Sequence, residues 1–316
     1  MDRREFLTGT TAAGIMAAIA PQLAAGRDEA PVPRRRLGKT GREVSIIGYG
    51  GIVAMGRGQR EVTREIIRFI DRGVNYFDVA PSYGNGEAEE RLGPALLGRR
   101  DGLFLACKTE RRDRQGAREA LETSLKRLRT DHFDLYQLHA ITTLEDVEKA
   151  LGPGGAMEAF VEAREKGYVR YLGFSAHSVE AALEAMRRFD FDTILFPFNW
   201  VCWMRGNFGP QVLKEARSRG MGCLALKAMA KAPWPTGAER TAPKCWYEPH
   251  FDPAEAALAL RFTLSLDVTA AIPPGDERLF PLALEVASRF KPLTEAERRQ
   301  LQAKAETLEP LFRHNA

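Results

Sequence analysis

The sequence predicts an α/β fold, a (β/α)8 TIM barrel with a short N-terminal hairpin, and three observations predict it. After Pro33, short apolar runs alternate with longer stretches of helical period, which is typical of repeated βα units around a parallel sheet. Eight such runs can be counted, and the 316 residues exceed the roughly 250 that such a barrel typically needs. A doubly wound sheet is the alternative, but no G-x-G-x-x-G motif follows the first strand, since GYGGIVAMG lacks that spacing.

The elements follow in order along the chain. Before the first strand, RRRLGKTGREVSII predicts a hairpin with its turn at Lys39, Thr40 and Gly41. Amphipathic segments such as EVTREIIRFIDRG and AREALETSLKRL separate the strands, and several end at a glycine in the C-cap position. The eight predicted strands cover residues 46–50, 74–77, 103–108, 133–139, 169–174, 193–198, 222–227 and 268–272.

The long connection 236–252 follows the seventh predicted strand and is rich in Pro, Trp and charged residues. Loops on the carboxyl rim of such a barrel tend to be functional. Four tryptophans are expected in loops over this rim, where their faces would stack on a sugar ring or simply cover the barrel mouth. They are Trp200, Trp203, Trp234 and Trp246.

The first residues predict an export signal at 1–26, followed by one barrel domain at 34–316. DRREFL is a charged start that resembles a twin-arginine signal, and an apolar segment with small residues follows it. That segment is shorter than the roughly 20 residues that span a membrane. We therefore expect export by the twin-arginine machinery to the periplasm or beyond, with no stable membrane span. A disordered or buried N-terminal helix is the alternative.

Charge and cysteine content argue against several other classes of protein. The 46 Lys and Arg residues nearly balance the 42 Asp and Glu residues, and no long run of like charge occurs, so nucleic-acid binding is not expected. The cysteines lack C-x-x-C spacing, so neither a zinc nor an iron–sulfur site is expected. Cys107 and Cys223 lie in apolar runs as core residues, while a disulfide between Cys202 and Cys245 stays open in an exported protein.

Polar side chains come at the ends of three consecutive predicted strands. Asp78 follows the second strand, Lys108 ends the third and His139 ends the fourth, each about one βα unit of roughly 30 residues from the next. Because the carboxyl ends of the strands meet at one rim, we expect these side chains to lie side by side. Tyr83, in the loop after Asp78, is expected to fold back over them.

These residue types suit proton transfer to or from a carbonyl or alcohol oxygen. A free tyrosine titrates near pH 10, so we expect the Lys108 ammonium to lower the pKa of Tyr83 while Asp78 keeps that lysine charged. His139 is expected to orient the reacting oxygen through a hydrogen bond. The alternative is a buried Asp78–Lys108 ion pair that only braces the barrel, with His139 as a core histidine.

The segments FDVAPSYGNGEAEERLG, LACKTE and DLYQLHA resemble the aldo-keto reductase family, and the resemblance covers about residues 36–288. It implies reversible reduction of an aldehyde or ketone, with hydride from a nicotinamide cofactor and a proton from Tyr83. It also implies that Asp78, Tyr83, Lys108 and His139 are the catalytic residues. GPGGAMEAFVEAREKGYVRYLGFSAHS and GCLALKAMAK resemble a bacterial branch, some members of which carry an iron–sulfur domain whose cysteines this sequence lacks.

The resemblance implies a cofactor site that differs from the common pattern of the family. Ala176 stands where many members have an asparagine, and Leu195 where a glutamine usually holds the nicotinamide amide. Asp276 and Glu277 would repel the additional phosphate of NADP, whereas Arg278 would bind it, so both NADP and NAD stay open, with NADP slightly preferred. The implied cofactor residues are Gly51, Ser175, Lys227, Pro274, Gly275 and Arg278.

Two hypotheses of function follow. The first is an exported oxidoreductase that acts on a small carbonyl or alcohol substrate, with sugar-like compounds among the candidates. The second is a non-catalytic or regulatory binding protein on the same scaffold, since a fold does not imply a function. The four catalytic residues favour the first hypothesis, and Ala176 and Leu195 favour the second.

Overall fold

A computed structural model of the chain describes residues 30–315, so the signal predicted at 1–26 lies outside the described residues. The strands, numbered in chain order, are β1 (Arg34–Arg36), β2 (Glu43–Ser45), β3 (Tyr49–Gly50), β4 (Tyr76–Asp78), β5 (Phe104–Thr109), β6 (Phe133–Ile141), β7 (Val169–Ala176), β8 (Thr193–Phe196), β9 (Gly222–Leu226), β10 (Ala230–Pro233), β11 (Tyr247–Pro249) and β12 (Ala270–Ile272). The helices are α1 (Gln59–Asp71), α2 (Glu87–Leu96), α3 (Arg114–Leu128), α4 (Leu144–Leu151), α5 (Ala156–Glu165), α6 (Val179–Arg188), α7 (Trp200–Arg205), α8 (Pro210–Ser218), α9 (Pro253–Ser265), α10 (Leu279–Ser288) and α11 (Glu295–Ala305).

Eight strands form one parallel sheet, in the order β3, β4, β5, β6, β7, β8, β9, β12. The two ends of this sheet meet just before β3, where Ile47 forms a parallel bridge with Ala271. The Gly48 N–H also donates to the Ala271 carbonyl over 2.9 Å. The sheet therefore closes into a barrel with helices between its strands, and the predicted (β/α)8 TIM barrel is confirmed.

Two apolar layers hold the barrel together. Side chains alternate between the faces of a strand, so one set points to the surrounding helices and the other fills the interior. The interior is a packed apolar core rather than a channel. The polar side chains that point inward from the barrel strands are therefore concentrated at the carboxyl rim. The buried members of the core are Leu37, Val44, Tyr76, Phe104, Ala106, Leu135, Leu195, Leu224, Ala270 and Ile272.

The predicted N-terminal hairpin is also confirmed, and it covers the amino end of the barrel. β1 pairs antiparallel with β2, and Gly41 adopts the left-handed region at φ 71° after a 3-10 turn. Leu37 enters the interior beside Gly222, the first residue of β9. A Cβ at Gly222 would lie 2.4 Å from Leu37 Cδ1, so only glycine allows this contact.

Strand limits differ from the predicted ones by a few residues. The second barrel strand is β4 (Tyr76–Asp78), so Asp78 lies inside the strand and pairs with Ala106. The fourth strand, β6, continues to Ile141 rather than ending at residue 139. A strand lasts as long as its neighbour continues the ladder, which a single segment of sequence does not reveal.

Two of the four tryptophans expected in rim loops lie in a helix instead. Trp200 and Trp203 belong to α7, which Asn199 caps by accepting the N–H groups of Val201 and Cys202. Trp200 is 1% exposed and packs in a small core against α9 and α11. Only Trp234 and Trp246 lie in the connection between β10 and β11.

All four cysteines are free and buried, so Cys202 and Cys245 do not form the disulfide that the sequence leaves open. Among residues 30–315 no group of three or more His, Cys, Asp and Glu side chains is placed to hold a metal ion. Within the same range, each helix is either too short or too polar to cross a bilayer.

Candidate active site

Polar side chains from neighbouring strands meet at the carboxyl rim of the barrel. Asp78 ends β4, Lys108 lies near the end of β5, His139 near the end of β6 and Ser175 near the end of β7. Ser178 caps α6 by accepting the N–H of Ala181, so only a short link joins Ser175 to that helix. Since the strands are parallel neighbours, all four side chains share one rim.

Lys108 and Asp78 form a buried ion pair beneath this rim. Their side chains are 1% and 2% exposed. Lys108 Nζ donates to Asp78 Oδ1, and also to the Val79 carbonyl over 3.2 Å. Burial alone would lower the pKa of Lys108, but the negative charge of Asp78, joined at high pH by that of the Tyr83 phenolate, outweighs burial and raises this pKa above its usual value. Lys108 therefore carries a positive charge at neutral pH.

Two further side chains hold the second oxygen of this carboxylate. The Tyr76 hydroxyl lies 3.4 Å from Asp78 Oδ2, and Gln137 Nε2 donates to the same oxygen over 3.3 Å. Both side chains are buried inside the barrel. Asp78 is thereby fixed from three directions, and it in turn fixes the position of the Lys108 ammonium.

Tyr83 lies over this ion pair. It begins the 3-10 turn Tyr83–Gly86, in which Gly84 and Asn85 adopt left-handed φ values of 62° and 52°. Lys108 Nζ is 5.2 Å from the centre of the Tyr83 ring. The same ring meets the His139 ring edge to face, with centroids 5.9 Å apart. The structure thus brings the four predicted catalytic side chains together.

The prediction that the pKa of Tyr83 is lowered is wrong for the protein without bound ligands. Burial raises the pKa of the phenol, and the opposing charge of Lys108 lowers it by less. The cause is desolvation, because a buried phenolate loses more stabilisation from the removal of water than it gains from the charge of one ammonium. Tyr83 therefore stays protonated at neutral pH, which is the state of a proton donor.

His139 is neutral at the pH where most proteins work. Burial lowers its pKa well below the usual value, and the positive charges of Lys108, Arg112 and Lys227 lower it further. Its Nδ1 lies 3.3 Å from Glu110 Oε1 and 3.5 Å from Ser82 Oγ. A neutral imidazole offers one donor and one acceptor nitrogen, so His139 can orient an oxygen atom without adding charge.

A cleft of about 680 Å³ opens beside His139. Ser82 and Glu110, which both approach His139 Nδ1, line it together with Arg111 and Arg127. The cleft is thus polar, carries charges of both signs and adjoins the rim.

Ser175 is held by the neighbouring strand. Its Oγ accepts the Ala140 N–H over 2.8 Å, which leaves the hydroxyl hydrogen available for donation. Ala140 has a left-handed φ of 54°, beside an irregularity in the pairing of β6 with β7. The next residue, Ala176, is fully buried, and Leu195 packs in the apolar interior at 2% exposure. Neither of these two side chains can hydrogen-bond an amide.

The two predicted cofactor glycines are sites of close backbone packing. A Cβ at Gly51 would lie 2.7 Å from Val79 Cγ2 and 3.3 Å from the Asp78 carbonyl oxygen. A Cβ at Gly275, which follows Pro274 after β12, would lie 2.8 Å from Ile52 Cγ2. The loops after β3, β4 and β12 therefore pack tightly against one another at the rim.

Arg278 is engaged within the protein. Its Nε and Nη2 donate to the two oxygens of Asp276 over 2.8 Å and 2.7 Å, and Nη2 also donates to the Thr241 carbonyl. Glu277, the other acidic neighbour, pairs with Lys244 at 3.2 Å. The charge expected to attract the phosphate of NADP is therefore balanced by Asp276.

Lys227, directly after β9, has a different environment. It is 8% exposed, and its Nζ lies at hydrogen-bond distance, 2.9 Å, from His177 Nε2. Among residues 30–315 no carboxylate lies within ion-pair distance of this amine, and burial lowers its pKa to about 7. Its backbone is left-handed at φ 62°, and Asn199 Nδ2 donates to its carbonyl over 3.0 Å.

A family model described as the Aldo/keto reductase family matches residues 47–283, about three quarters of the chain. This chain belongs to the aldo/keto reductase family. The match runs from the closure of the barrel through every rim residue described above.

Individual relatives agree with this family. The chain is 30% identical over 178 residues to the Bacillus subtilis protein named uncharacterized oxidoreductase YqkF, which covers 52% of this chain and 56% of that one. It is 33% identical over 175 residues to the Schizosaccharomyces pombe aldo-keto reductase yakc, whose name includes NADP(+), covering 50% of this chain and 48% of that one. The chain spans about half the length of the curated relatives it matches. Among solved structures, aldo-keto reductase AKR11C1 from Bacillus halodurans in its holo form aligns with a TM-score of 0.67 and 25% identity, over 89% of this chain and 98% of that one.

Three side chains at the rim of this family member are not among the residues predicted from its sequence. Tyr76 and Gln137 share the inward face with Asp78 and Lys108, so the alternation of side chains along a strand can reveal them. Gln137 also interrupts the apolar run FDLYQLH. His177 has no such signal, because its partner Lys227 lies 50 residues away in the sequence.

Proposed function

We propose that this chain is an NAD(P)-dependent aldo-keto reductase that reversibly reduces an aldehyde or ketone, the bound cofactor supplying the hydride. One observation carries the proposal, the Tyr83 phenol held over the buried Lys108–Asp78 ion pair and against His139. Membership of the family supports it.

In this mechanism Tyr83 moves the proton. During reduction its O–H bond breaks, and the proton passes to the oxygen of the substrate carbonyl as charge develops there. The Lys108 ammonium stabilises the phenolate that remains, and Asp78 keeps that ammonium in place. His139 orients the substrate oxygen through a neutral imidazole nitrogen. In the direction of alcohol oxidation, the phenolate takes the proton back.

Several residues of the chain suit a nicotinamide nucleotide. The free hydroxyl hydrogen of Ser175 is available to an amide oxygen, and Lys227 is a buried amine without a carboxylate. Gly51 and Gly275 allow the rim loops to approach closely. We assign Pro274 and Arg278 to the same site. NADP or NAD serves as the cofactor, and we prefer NADP because one relative carries NADP(+) in its name.

The experiment uses the chain without residues 1–26 and its Tyr83→Phe variant. Both are assayed with NADPH and NADH against a panel of aldehydes, ketones and sugars. We expect measurable turnover in the parent protein and a loss of roughly 10²–10⁴-fold in the variant, with the same unfolding midpoint. Unchanged turnover in the folded variant would remove Tyr83 as the proton donor.

We also propose that the protein is exported by the twin-arginine route with its cofactor bound, and that the cofactor is recycled by alternate oxidation and reduction. Sugar-like or polyol substrates suit the polar cleft beside His139. Replacing the arginines at positions 3 and 4 by lysine should retain a tagged chain in the cytoplasm. Unimpaired export of that variant would count against the twin-arginine route, and nucleotide-free exported protein would count against recycling.

A non-catalytic or regulatory binding protein is the second candidate. The buried Ala176 and Leu195 favour it, because the two amide contacts implied by the family resemblance are absent at these positions. Tight nucleotide binding without turnover of any carbonyl in the panel would support this alternative.

A further inference from the structure

We propose that Lys227 and His177 form an anion site at the barrel mouth, which takes up a phosphate or carboxylate group together with one proton. The site deepens the proposed function, and it rests on that function only for the origin of the anion. This goes beyond the cofactor contact assigned to Lys227 above, because such a contact would involve neither His177 nor the uptake of a proton.

The first argument is the lack of a counter-charge. Lys227 Nζ is buried and lies 2.9 Å from a neutral imidazole nitrogen, His177 Nε2. Two aromatic rings also lie near it, with the centre of the Trp246 ring at 5.4 Å and that of Phe312 at 5.7 Å. A buried amine normally pairs with a carboxylate. Here an anionic group from outside the described residues would complete the pair.

The titratable groups facing Lys227 do not supply negative charge. Burial raises the thiol pKa of Cys202, in α7, and of Cys245, in the β10–β11 connection, each to about 11. Burial lowers the pKa of His177 well below its usual value, and the positive charge of protonated Lys227 lowers it further. Both thiols and the imidazole are therefore neutral between pH 7 and 9.

Proton uptake follows from this environment. Without an anion, burial favours the neutral amine of Lys227, whose pKa is about 7. An anion at hydrogen-bond distance favours the charged ammonium. One proton from solvent therefore joins Lys227 Nζ on binding, and no other covalent bond forms or breaks. The ammonium form of Lys227 can only donate, so in the anion-bound state His177 Nε2 accepts and the ring proton is on Nδ1.

Two aromatic side chains cover the pair. The Phe312 ring stacks on the His177 ring with centroids 5.3 Å apart, and the Trp246 ring meets Phe312 at 5.9 Å. Trp246 is 49% exposed, so it borders solvent while lying against the site. Because the Trp246 ring lies close to Lys227 Nζ, the fluorescence of Trp246 should respond to the arrival of an anion there.

The anion has two possible sources, a phosphate of the nucleotide or an acidic group on the carbonyl substrate. His177 lies two residues after Ser175, and Lys227 directly follows β9, so both lie at the rim that also carries His139. The site therefore adjoins the residues assigned to the cofactor and those assigned to the substrate.

The test uses sulfate, which keeps two negative charges from pH 6 to 9, and follows tryptophan fluorescence of the mature chain. We expect the affinity for sulfate to fall by up to about tenfold per pH unit above pH 7, as the amine loses its proton. Lys227→Met should weaken binding at pH 6.5 by at least about tenfold. The matched control is Lys231→Met, which removes a cation paired with Glu248 at 2.7 Å on the adjacent hairpin. This control should leave binding unchanged.

Lys227→Arg provides a second test in case the methionine variant does not fold. Arginine stays charged throughout this pH range. This variant should bind sulfate with an affinity that no longer depends on pH. Equal affinity in the parent and in Lys227→Met, or a pH dependence that persists in Lys227→Arg, would overturn the proposal.

Two further measurements distinguish the sources. If the anion belongs to the nucleotide, Lys227→Met weakens NADPH binding and leaves the KM ratio of glyceraldehyde to glyceraldehyde 3-phosphate unchanged. If it belongs to the substrate, that ratio falls and NADPH affinity is kept. No change in either measurement overturns the proposal. Absence of turnover in the parent protein would remove the proposed function, while the sulfate and NADPH results would still stand.

Discussion

Two lysines on the same rim show what decides the charge of a buried amine. Lys108 and Lys227 are both buried, and in both burial favours the neutral form. Lys108 contacts the Asp78 carboxylate, and its pKa is raised above the usual value. Lys227 contacts an imidazole and two aromatic rings, and its pKa is lowered to about 7. The group that contacts the amine, rather than how deeply the amine is buried, determines whether it is charged or neutral.

The difference separates two roles. Lys108 carries a permanent charge, which suits the stabilisation of a phenolate at Tyr83. Lys227 gains or loses its proton near neutral pH, which suits a group that responds to a ligand. Burial keeps His139 neutral, and the positive charges of both lysines lower its pKa further.

The largest expected effect comes from removing the carboxylate that distinguishes the two lysines. Asp78→Asn leaves Lys108 in an environment like that of Lys227. Turnover should fall by at least about 10²-fold, and the free energy of unfolding by up to about 3–5 kcal/mol, because a buried charge loses its partner. Steady-state kinetics and urea unfolding measure both. Asp131→Asn is the control, since that side chain is 93% exposed, and turnover of Asp78→Asn within threefold of the parent would contradict the comparison.

The pH dependence of stability gives an intermediate effect. Lys227 loses its proton near pH 7 in the folded chain but only near pH 10.4 when unfolded. Between these values the unfolded chain binds more protons, so the free energy of unfolding rises with pH, by up to about 1.4 kcal/mol per unit. Lys108 has a raised folded pKa, so its contribution is fully present below pH 10.4 and adds no slope there.

Denaturant unfolding at pH 7, 8 and 9 checks this prediction. The parent protein should gain stability relative to Lys227→Met as the pH rises, whereas its difference from Lys231→Met should stay constant. A difference between parent and Lys227→Met that is the same at all three pH values would show that Lys227 is charged when folded.

The smallest expected effect concerns a cation that is half exposed. Arg278 is paired with Asp276 as Lys108 is with Asp78, but its side chain is 55% exposed. Asp276 is itself buried, but asparagine keeps an oxygen that can accept the Arg278 backbone N–H. Asp276→Asn should therefore free the Arg278 guanidinium at a smaller cost in stability than Asp78→Asn, and should raise the preference for NADPH over NADH by about fivefold, or about 1 kcal/mol. Glu277→Gln is the control, because it removes one negative charge from a neighbouring residue that does not contact Arg278. Equal effects of the two substitutions on nucleotide affinity would show that the change comes from the loss of negative charge and not from the release of Arg278.

The barrel and the strand-end residues can be predicted because their signals are local. Asp78, Lys108 and His139 each interrupt an apolar run at the distance of one βα unit, and parallel strands bring them together. The direction of the Tyr83 pKa cannot be predicted in this way, because desolvation depends on every loop that covers the phenol. Lys227 and His177 follow two strands that are not neighbours in the sheet. Their contact therefore cannot be predicted from either segment of the sequence.

The tryptophans show a different limit. α7 has only 6 residues, which is too short for a helical period to become visible in the sequence. Asn199 is a suitable N-cap residue, but a single cap does not outweigh the aromatic residues after it. Trp200 and Trp203 therefore resemble a loop in sequence, although they pack in a small core.

The closure of the barrel has a consequence for biosynthesis. The sheet joins its ends only when Ile47 meets Ala271, so a nascent chain cannot complete this barrel until nearly all of it has left the ribosome. The export signal that we propose at residues 1–26 would therefore leave the ribosome long before the barrel has folded. A pathway that carries this protein in its finished form has to wait for the last strand.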